Sequence, residues 1–148
     1  MRVVIELNAR IHDKRERARV LGRVPGEAAK RHKVRTRRKM IDGPHTGNLY
    51  DRKGGAGFSR SHQASARGQR PSPDTFTLVN AVTDERTGEM SARVFIAEKI
   101  NPRNGANASE YAEILQFHLG RPIMTGGDAI DGDRIQNKLA EKAIQELL

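Results

Sequence analysis

In this chain of 148 residues, positions 42–75 contain six glycines, Pro44, Pro71 and Pro73, and only Leu49, Tyr50 and Phe58 as large apolar side chains. Such a stretch cannot supply a packed core, so the core must be built from what lies on either side of it. A connection longer than about 12–15 residues without structure of its own is uncommon inside a compact domain and usually carries a function or is disordered. The segment is therefore expected to be an extended arm or a long hairpin that orders against neighbouring subunits, within a single domain spanning residues 1–148. The remainder is lean as well. Leu, Ile, Val and Phe number 31, about 21% of the chain, just above the level of roughly 20% below which highly charged chains tend to be disordered. A small core is expected, with part of the stability drawn from an assembly.

Hydrophobic periodicity assigns the elements. Val3, Val4, Ile5 and Leu7 form a short β-branched run that reads as a strand. Ile11–Leu21 is helix-friendly, and Gly22 with Val24-Pro25-Gly26 is expected to interrupt it. A second helix is expected over Glu27–Ile41, stopped by Gly43 and Pro44, with Ala28, Ala29, Val34, Met40 and Ile41 as a thin apolar stripe. Thr77–Thr83 and Ala92–Ile96 read as paired strands, with Asp84–Glu89 as their turn and 101–105 as a following loop. Ser109–Leu119 has helical spacing and ends at Gly120 and Pro122. The last helix, capped by Asp131 or Asp133, carries Ile135, Leu139, Ala143 and Leu147 on one face, with Ala140 and Ile144 beside it. The fold class is α+β, with a small antiparallel sheet, an N-terminal helical region and C-terminal helices.

Charge is distributed unevenly. Residues 1–70 hold 19 Lys/Arg against 6 Asp/Glu, whereas residues 71–148 hold 8 against 12. The strongest run is Lys30, Arg31, Lys33, Arg35, Arg37, Arg38 and Lys39, seven cations in ten residues with no acid among them. It is a candidate for contact with phosphates or with an acidic partner. The residues leave open whether Arg35, Arg37, Arg38 and Lys39 face DNA or an acidic neighbour such as the C-terminal helix of another subunit. Aromatics make up 4% of the chain, too few for a base-stacking platform, so any DNA contact would be with backbone phosphates.

No constellation of catalytic or metal-ligating residues emerges. There are no cysteines, and His12, His32, His45, His62 and His118 are scattered without ligand spacing. Gly54-Gly55-Ala56-Gly57 lacks the Gly-Lys-Ser/Thr of a phosphate loop. Asp128, Asp131 and Asp133 fit helix capping better than a calcium loop. The serines lack the setting of a nucleophile elbow. Neither enzyme activity nor a cofactor or metal is expected. No stretch approaches the roughly 18 apolar residues of a membrane span, so a soluble protein made in the cytoplasm is expected.

One internal echo is present. Pro44-His45-Thr46-Gly47-Asn48-Leu49-Tyr50 and Pro73-Asp74-Thr75-Phe76-Thr77-Leu78-Val79 share Pro-x-Thr-x-x-Leu followed by an apolar residue. Each unit reads as a Pro-initiated turn delivering a leucine into a strand or core position. Together with the stretch Arg60–Pro71 and with Tyr111-Ala112-Glu113-Ile114-Leu115-Gln116-Phe117-His118-Leu119-Gly120-Arg121-Pro122-Ile123-Met124, these segments resemble the phage neck and tail-completion (head–tail joining) family that includes the minor tail protein Z of phage lambda. The likeness covers roughly residues 37–148. Phe76 stands where that family has Gly, Arg67 and Gln69 where it has Pro and Glu, and Gln116 where it often has Glu.

The resemblance implies a structural subunit of the bacteriophage neck, in a virion, joining head and tail around the DNA channel. Its partners would be further copies in a ring, other neck and tail proteins, and double-stranded DNA passing through. It points to Pro44, Thr46, Gly47, Leu49, Tyr50, Pro73, Thr75 and Leu78 as arm and signature residues, and to Tyr111, Leu115 and Phe117 as helix-packing residues. The competing reading is a non-specific nucleic-acid-binding protein, ribosome-associated or similar, which the sequence pI near 10.5 favours. A nuclease would need clustered carboxylates or histidines.

Overall fold

The computed structural model describes residues 14–51, 61–71, 76–102 and 104–147. The strand expected at Val3–Leu7, the Gly54–Gly57 run, Pro73 and Thr75 lie outside them. Among the described residues the architecture is α+β: two long antiparallel helices, two short ones and two separate two-stranded sheets.

Helix α1 runs unbroken over Lys14–Ile41 with Pro25 inside it, which corrects the expected interruption at 22–26. A mid-helix proline removes one hydrogen bond and crowds the preceding turn, at a cost of about 3 kcal/mol relative to alanine. Packing on both sides of the residue offsets this. Val20 and Val24 are buried with Ala143 and Leu147, backed by Leu21, Leu139 and Ala140. The following turn buries Ala28 and Ala29. Of the expected stripe, Val34 and Ile41 are exposed, while Met40 is fully buried.

Strand β1 (Leu49–Asp51) pairs antiparallel with β2 (Ser61–Gln63), so the described residues of the 42–75 segment include an antiparallel strand pair. Its descending limb is not a free arm. Ala64 and Ser65 are 4% and 0% exposed, and the Gly68 amide donates to the Gly120 carbonyl at 2.7 Å. This limb orders against the chain's own body.

The expected strand at Thr77–Thr83 is divided. Helix α2 takes Thr77–Ala81, and strand β3 begins only at Val82. Phe76 adopts the left-handed conformation, φ 58°, and its carbonyl accepts from the Asn80 amide at 2.8 Å. The backbone thus performs the tight turn that a glycine would ordinarily make. β3 (Val82–Gly88) pairs with β4 (Ser91–Ile96), with an irregularity between Arg86 and Gly88. The chain therefore turns at Glu89–Met90 rather than over Asp84–Glu89. Across the hairpin, Arg93 meets Glu85 at 2.8 Å and stacks over Phe95.

Helix α3 (Ala108–Glu113) is capped by Asn107, whose side chain accepts from the Ser109 amide. It widens into a π-turn over Ile114–His118, closed by the Leu119 amide donating to Ile114. Gly120, at φ 61°, ends it as expected. Helix α4 spans Gly126–Leu147, starting earlier than Asp131. Its first turn is held by a reciprocal capping box. The Thr125 amide donates to Asp128 Oδ2 at 2.7 Å, and the Asp128 amide to Thr125 Oγ1 at 3.3 Å.

A second cluster joins the other ends of the long helices to the hairpin and α3. Met40, Val79, Val82, Ala112 and Ile123 are buried, with Leu78, Val94, Ile96 and Met124 against them. Among the described residues, no helix is long and apolar enough to cross a membrane.

Candidate functional site

The basic run lies on the second half of α1, and helical periodicity divides it three ways. Lys33 and Arg37, four residues apart, face the β3 side. Lys33 forms an ion pair with Asp84. Arg37 donates to the Val82 carbonyl at 2.7 and 3.1 Å and to the Asn80 carbonyl at 3.1 Å. These carbonyls sit where α2 passes into β3, where helix-end acceptors lack intrahelical donors.

Arg35 and Lys39, also four apart, face α4. Arg35 meets Asp131 at 3.1 Å, and Lys39 meets Asp128 at 2.7 Å and Asp131 at 3.0 Å. The acidic neighbour left open by the sequence is thus the start of this chain's own C-terminal helix. Four of the seven cations hold the fold together. Lys30, Arg31 and Arg38 are exposed and have no partner among the described residues.

Asp128 is the hub of the α1–α4 junction and is 2% exposed. Arg70 Nη2 donates to both its oxygens at 2.7 and 2.6 Å, while Arg70 Nη1 donates to the Ile123 carbonyl. Thr125 adds its amide and hydroxyl. Burial pushes the Asp128 carboxyl up, but hydrogen bonds from Arg70, Lys39 and Thr125 outweigh it and hold the group well below the ordinary carboxylate range. Asp131 is lowered too, chiefly by its hydrogen bond from Lys39. Beside them, His32 packs close to Gly132, and its Nδ1 has no partner. Burial is the main cause that pushes its pKa down.

The three free cations border a groove of about 960 Å³. Lys30, Arg31 and Arg38 line it with Val34, which is 54% exposed, and with Pro44, and Gly68–Arg70 also contribute to its lining. Asp42 is the acid on this lining among the described residues. The groove therefore combines positive charge with apolar surface.

The signature segments meet beside this groove. Gly47 donates to the Ala64 carbonyl at 2.8 Å, and a Cβ on Gly47 would lie 2.6 Å from the Ser65 carbonyl oxygen. Only glycine allows that approach. Gln69, one of the departures from the pattern that the sequence resembles, ties the limbs together. Its Oε1 accepts from the Thr46 and Ala66 amides at 3.0 and 2.8 Å, and its Nε2 donates to Thr46 Oγ1 at 2.8 Å. Arg67, another departure, lies against Gly120, where a Cβ would come within 3.0 Å of its Nε. Leu49 takes a strand position but is 63% exposed, and Tyr50 is exposed as well. Leu78 packs against the core.

On α3 and its π-turn only Leu115 of the three expected packing residues is buried; Tyr111 is half exposed and Phe117 is 73% exposed. Ala112 and Leu115 form the inward face. Phe117, two residues past Leu115 on the π-turn, falls on roughly the opposite side of the axis and points away. A second depression of about 520 Å³ includes Tyr50, Phe76, Tyr111 and Leu119 in its lining. The Ser65 hydroxyl, fully buried there, has no partner.

Arg70, Gln69 and Asp128 were not singled out as site residues from sequence. The Thr125-x-x-Asp128 spacing ahead of an apolar helix is a capping-box signal that marks Asp128. No local pattern marks Arg70, whose partner lies 58 positions away. Searches of family models, of curated proteins and of solved structures returned no match to this chain.

Proposed function

We propose that the chain is a structural subunit of a phage neck, working by shape and charge in a ring that joins head and tail around the DNA channel. One observation carries this reading. Three of the segments that resemble the neck and tail-completion family, Pro44–Tyr50, Arg60–Pro71 and Tyr111–Met124, are bonded to one another. Gly47 pairs with Ala64, Gly68 with Gly120, and Arg70 with Ile123. Residues recognised as a set thus belong to one structural unit. The surface beside that unit also suits assembly. Tyr50, Phe76, Tyr111, Ile114, Phe117 and Leu119 are all at least 45% exposed, and large apolar exposure of this kind marks interaction surfaces.

The three cations of the basic run that have no partner among the described residues, Lys30, Arg31 and Arg38, support the second reading, non-specific binding to nucleic acid. The mass of the full-length protein in solution, alone and with a short random DNA duplex at low and moderate salt, separates the two. A discrete multimer, with duplex affinity that vanishes at moderate salt, is the expected result. A monomer that binds nucleic acid tightly in both salts overturns the neck reading.

A further inference from the structure

The outward side of α3 and its π-turn is a ridge of two kinds of residue. Tyr111, Ile114 and Phe117 are 47%, 46% and 73% exposed. Glu110 and Glu113 stand beside them, without a partner among the described residues. The basic groove on α1 has the opposite charge and the same mixed character. It sets Lys30, Arg31 and Arg38 around Val34 and Pro44.

We propose that the Glu110–Phe117 ridge of one copy of this chain seats in the basic groove of a second copy, so that subunits join head to tail. The inference rests on reading the chain as a ring subunit and names the surfaces that would make the ring. Three arguments carry it. First, the charges are complementary, two carboxylates against three cations without a partner among the described residues, which favours encounter and fixes orientation. Second, both surfaces hold apolar side chains, so their contact buries Tyr111, Ile114 and Phe117 against Val34, Pro44 and the aliphatic stems of the Lys and Arg side chains. A phosphate backbone would leave that apolar surface unmatched. Third, Ala112 and Leu115, 6% and 1% exposed, pin the ridge to its own core, so only another copy can bring a ridge to the groove. Ridge and groove share no residue, and the 64–71 segment borders the depressions on both sides: Gly68–Arg70 line the groove, and Ala64, Ser65 and Pro71 line the cleft that includes Tyr111. A contact between two different patches is heterologous; it leaves one of each patch open at the ends and closes when the rotation completes a ring.

The test uses three full-length proteins: wild type, Arg31→Glu/Arg38→Glu, and Glu110→Arg/Glu113→Arg. Their masses are measured by sedimentation velocity at matched concentrations and two salt levels, with thermal melts to establish folding. Wild type is expected to assemble, more weakly at higher salt. Each variant sets like charges against each other and is expected to associate about 100-fold more weakly. An equimolar mixture of the two variants restores both opposite-charge contacts in alternation and is expected to regain the assembled mass. If wild type assembles and the folded variants assemble equally well, or the mixture stays dissociated, this contact is wrong while the ring reading stands. The contact is equally wrong if the groove variant loses only duplex binding and keeps its mass. A wild type that remains monomeric at every concentration removes both readings.

Discussion

Replacing Asp128 with Asn tests the α1–α4 junction most directly. The substitution keeps the shape of the side chain but removes its charge and turns one acceptor into a donor. In the native arrangement both carboxylate oxygens accept from Arg70, one also from Lys39, and the other from the Thr125 amide and hydroxyl. Asn cannot satisfy them all, and its amide would face donors. Removing one member of a buried ion pair costs about 3–5 kcal/mol. Lys39 retains Asp131 and Arg70 retains the Ile123 carbonyl, which places the loss near the lower end, about 3 kcal/mol. For a domain of this size that is a fall in Tm of about 6–12 °C. Urea unfolding followed by circular dichroism, at one fixed protein concentration so that assembly does not confuse the comparison, measures it. The pH dependence has a definite sign. Asp128 has a folded-state pKa below its ordinary 3.8, so its contribution is complete above that value and is lost as pH falls through the folded pKa. The gap between wild type and variant should therefore hold from about pH 7 to about pH 5 and narrow only in stronger acid. A loss below about 1 kcal/mol, or a gap that shrinks between pH 7 and pH 5, would refute the assignment of Asp128 as the hub.

Three other outcomes follow from the same geometry. Arg37→Ala strips the donors from the Asn80 and Val82 carbonyls and should cost about 1–3 kcal/mol, whereas Arg38→Ala, one residue on, should stay within about 0.5 kcal/mol; equal effects in denaturant titrations would contradict the division of the basic run. Gly47→Ala forces a Cβ against the Ser65 carbonyl and should destabilise by about 1–3 kcal/mol, with faster amide exchange at Gly47 and Ala64; unchanged exchange would count against the close approach. His32 should titrate below its ordinary 6.5 in the folded protein, so its contribution to stability is full above that value and declines as pH drops through the window below it; an imidazole resonance titrating above 6.5 would reverse that sign.

The C-terminal helix was legible because its pattern is local: Leu139, Ala143 and Leu147 recur at helical spacing and do turn inward. Its true start was hidden by the two glycines, 126 and 127, which argue against a helix while Thr125 and Asp128 close the cap around them. Pro25 misled for the opposite reason, since its penalty is local and the packing that outweighs it comes from residues more than a hundred positions away. Thr77–Thr83 has the β-branched composition of a strand, yet the left-handed Phe76 starts a helical turn first. The positive charge of α1 was plain, but its division was not, because Asp84, Asp128 and Asp131 lie 51 or more positions downstream of the cations they bind. The i, i+4 spacing of Lys33 with Arg37, and of Arg35 with Lys39, was the available hint that each pair shares a face.

Along α1 the molecule is layered: an oily end at Val20 and Val24, a waist of paired charges from Lys33 to Lys39, and a second oily end at Met40. The two ends respond to solvent through hydrophobic burial, and the waist through ionic screening. Salt reaches the exposed rim of that waist at Arg35, whose side chain is 49% exposed, far more than its centre at Asp128, at 3%. Because α1 and α4 run unbroken past it, that centre ties the two apolar clusters into one unit.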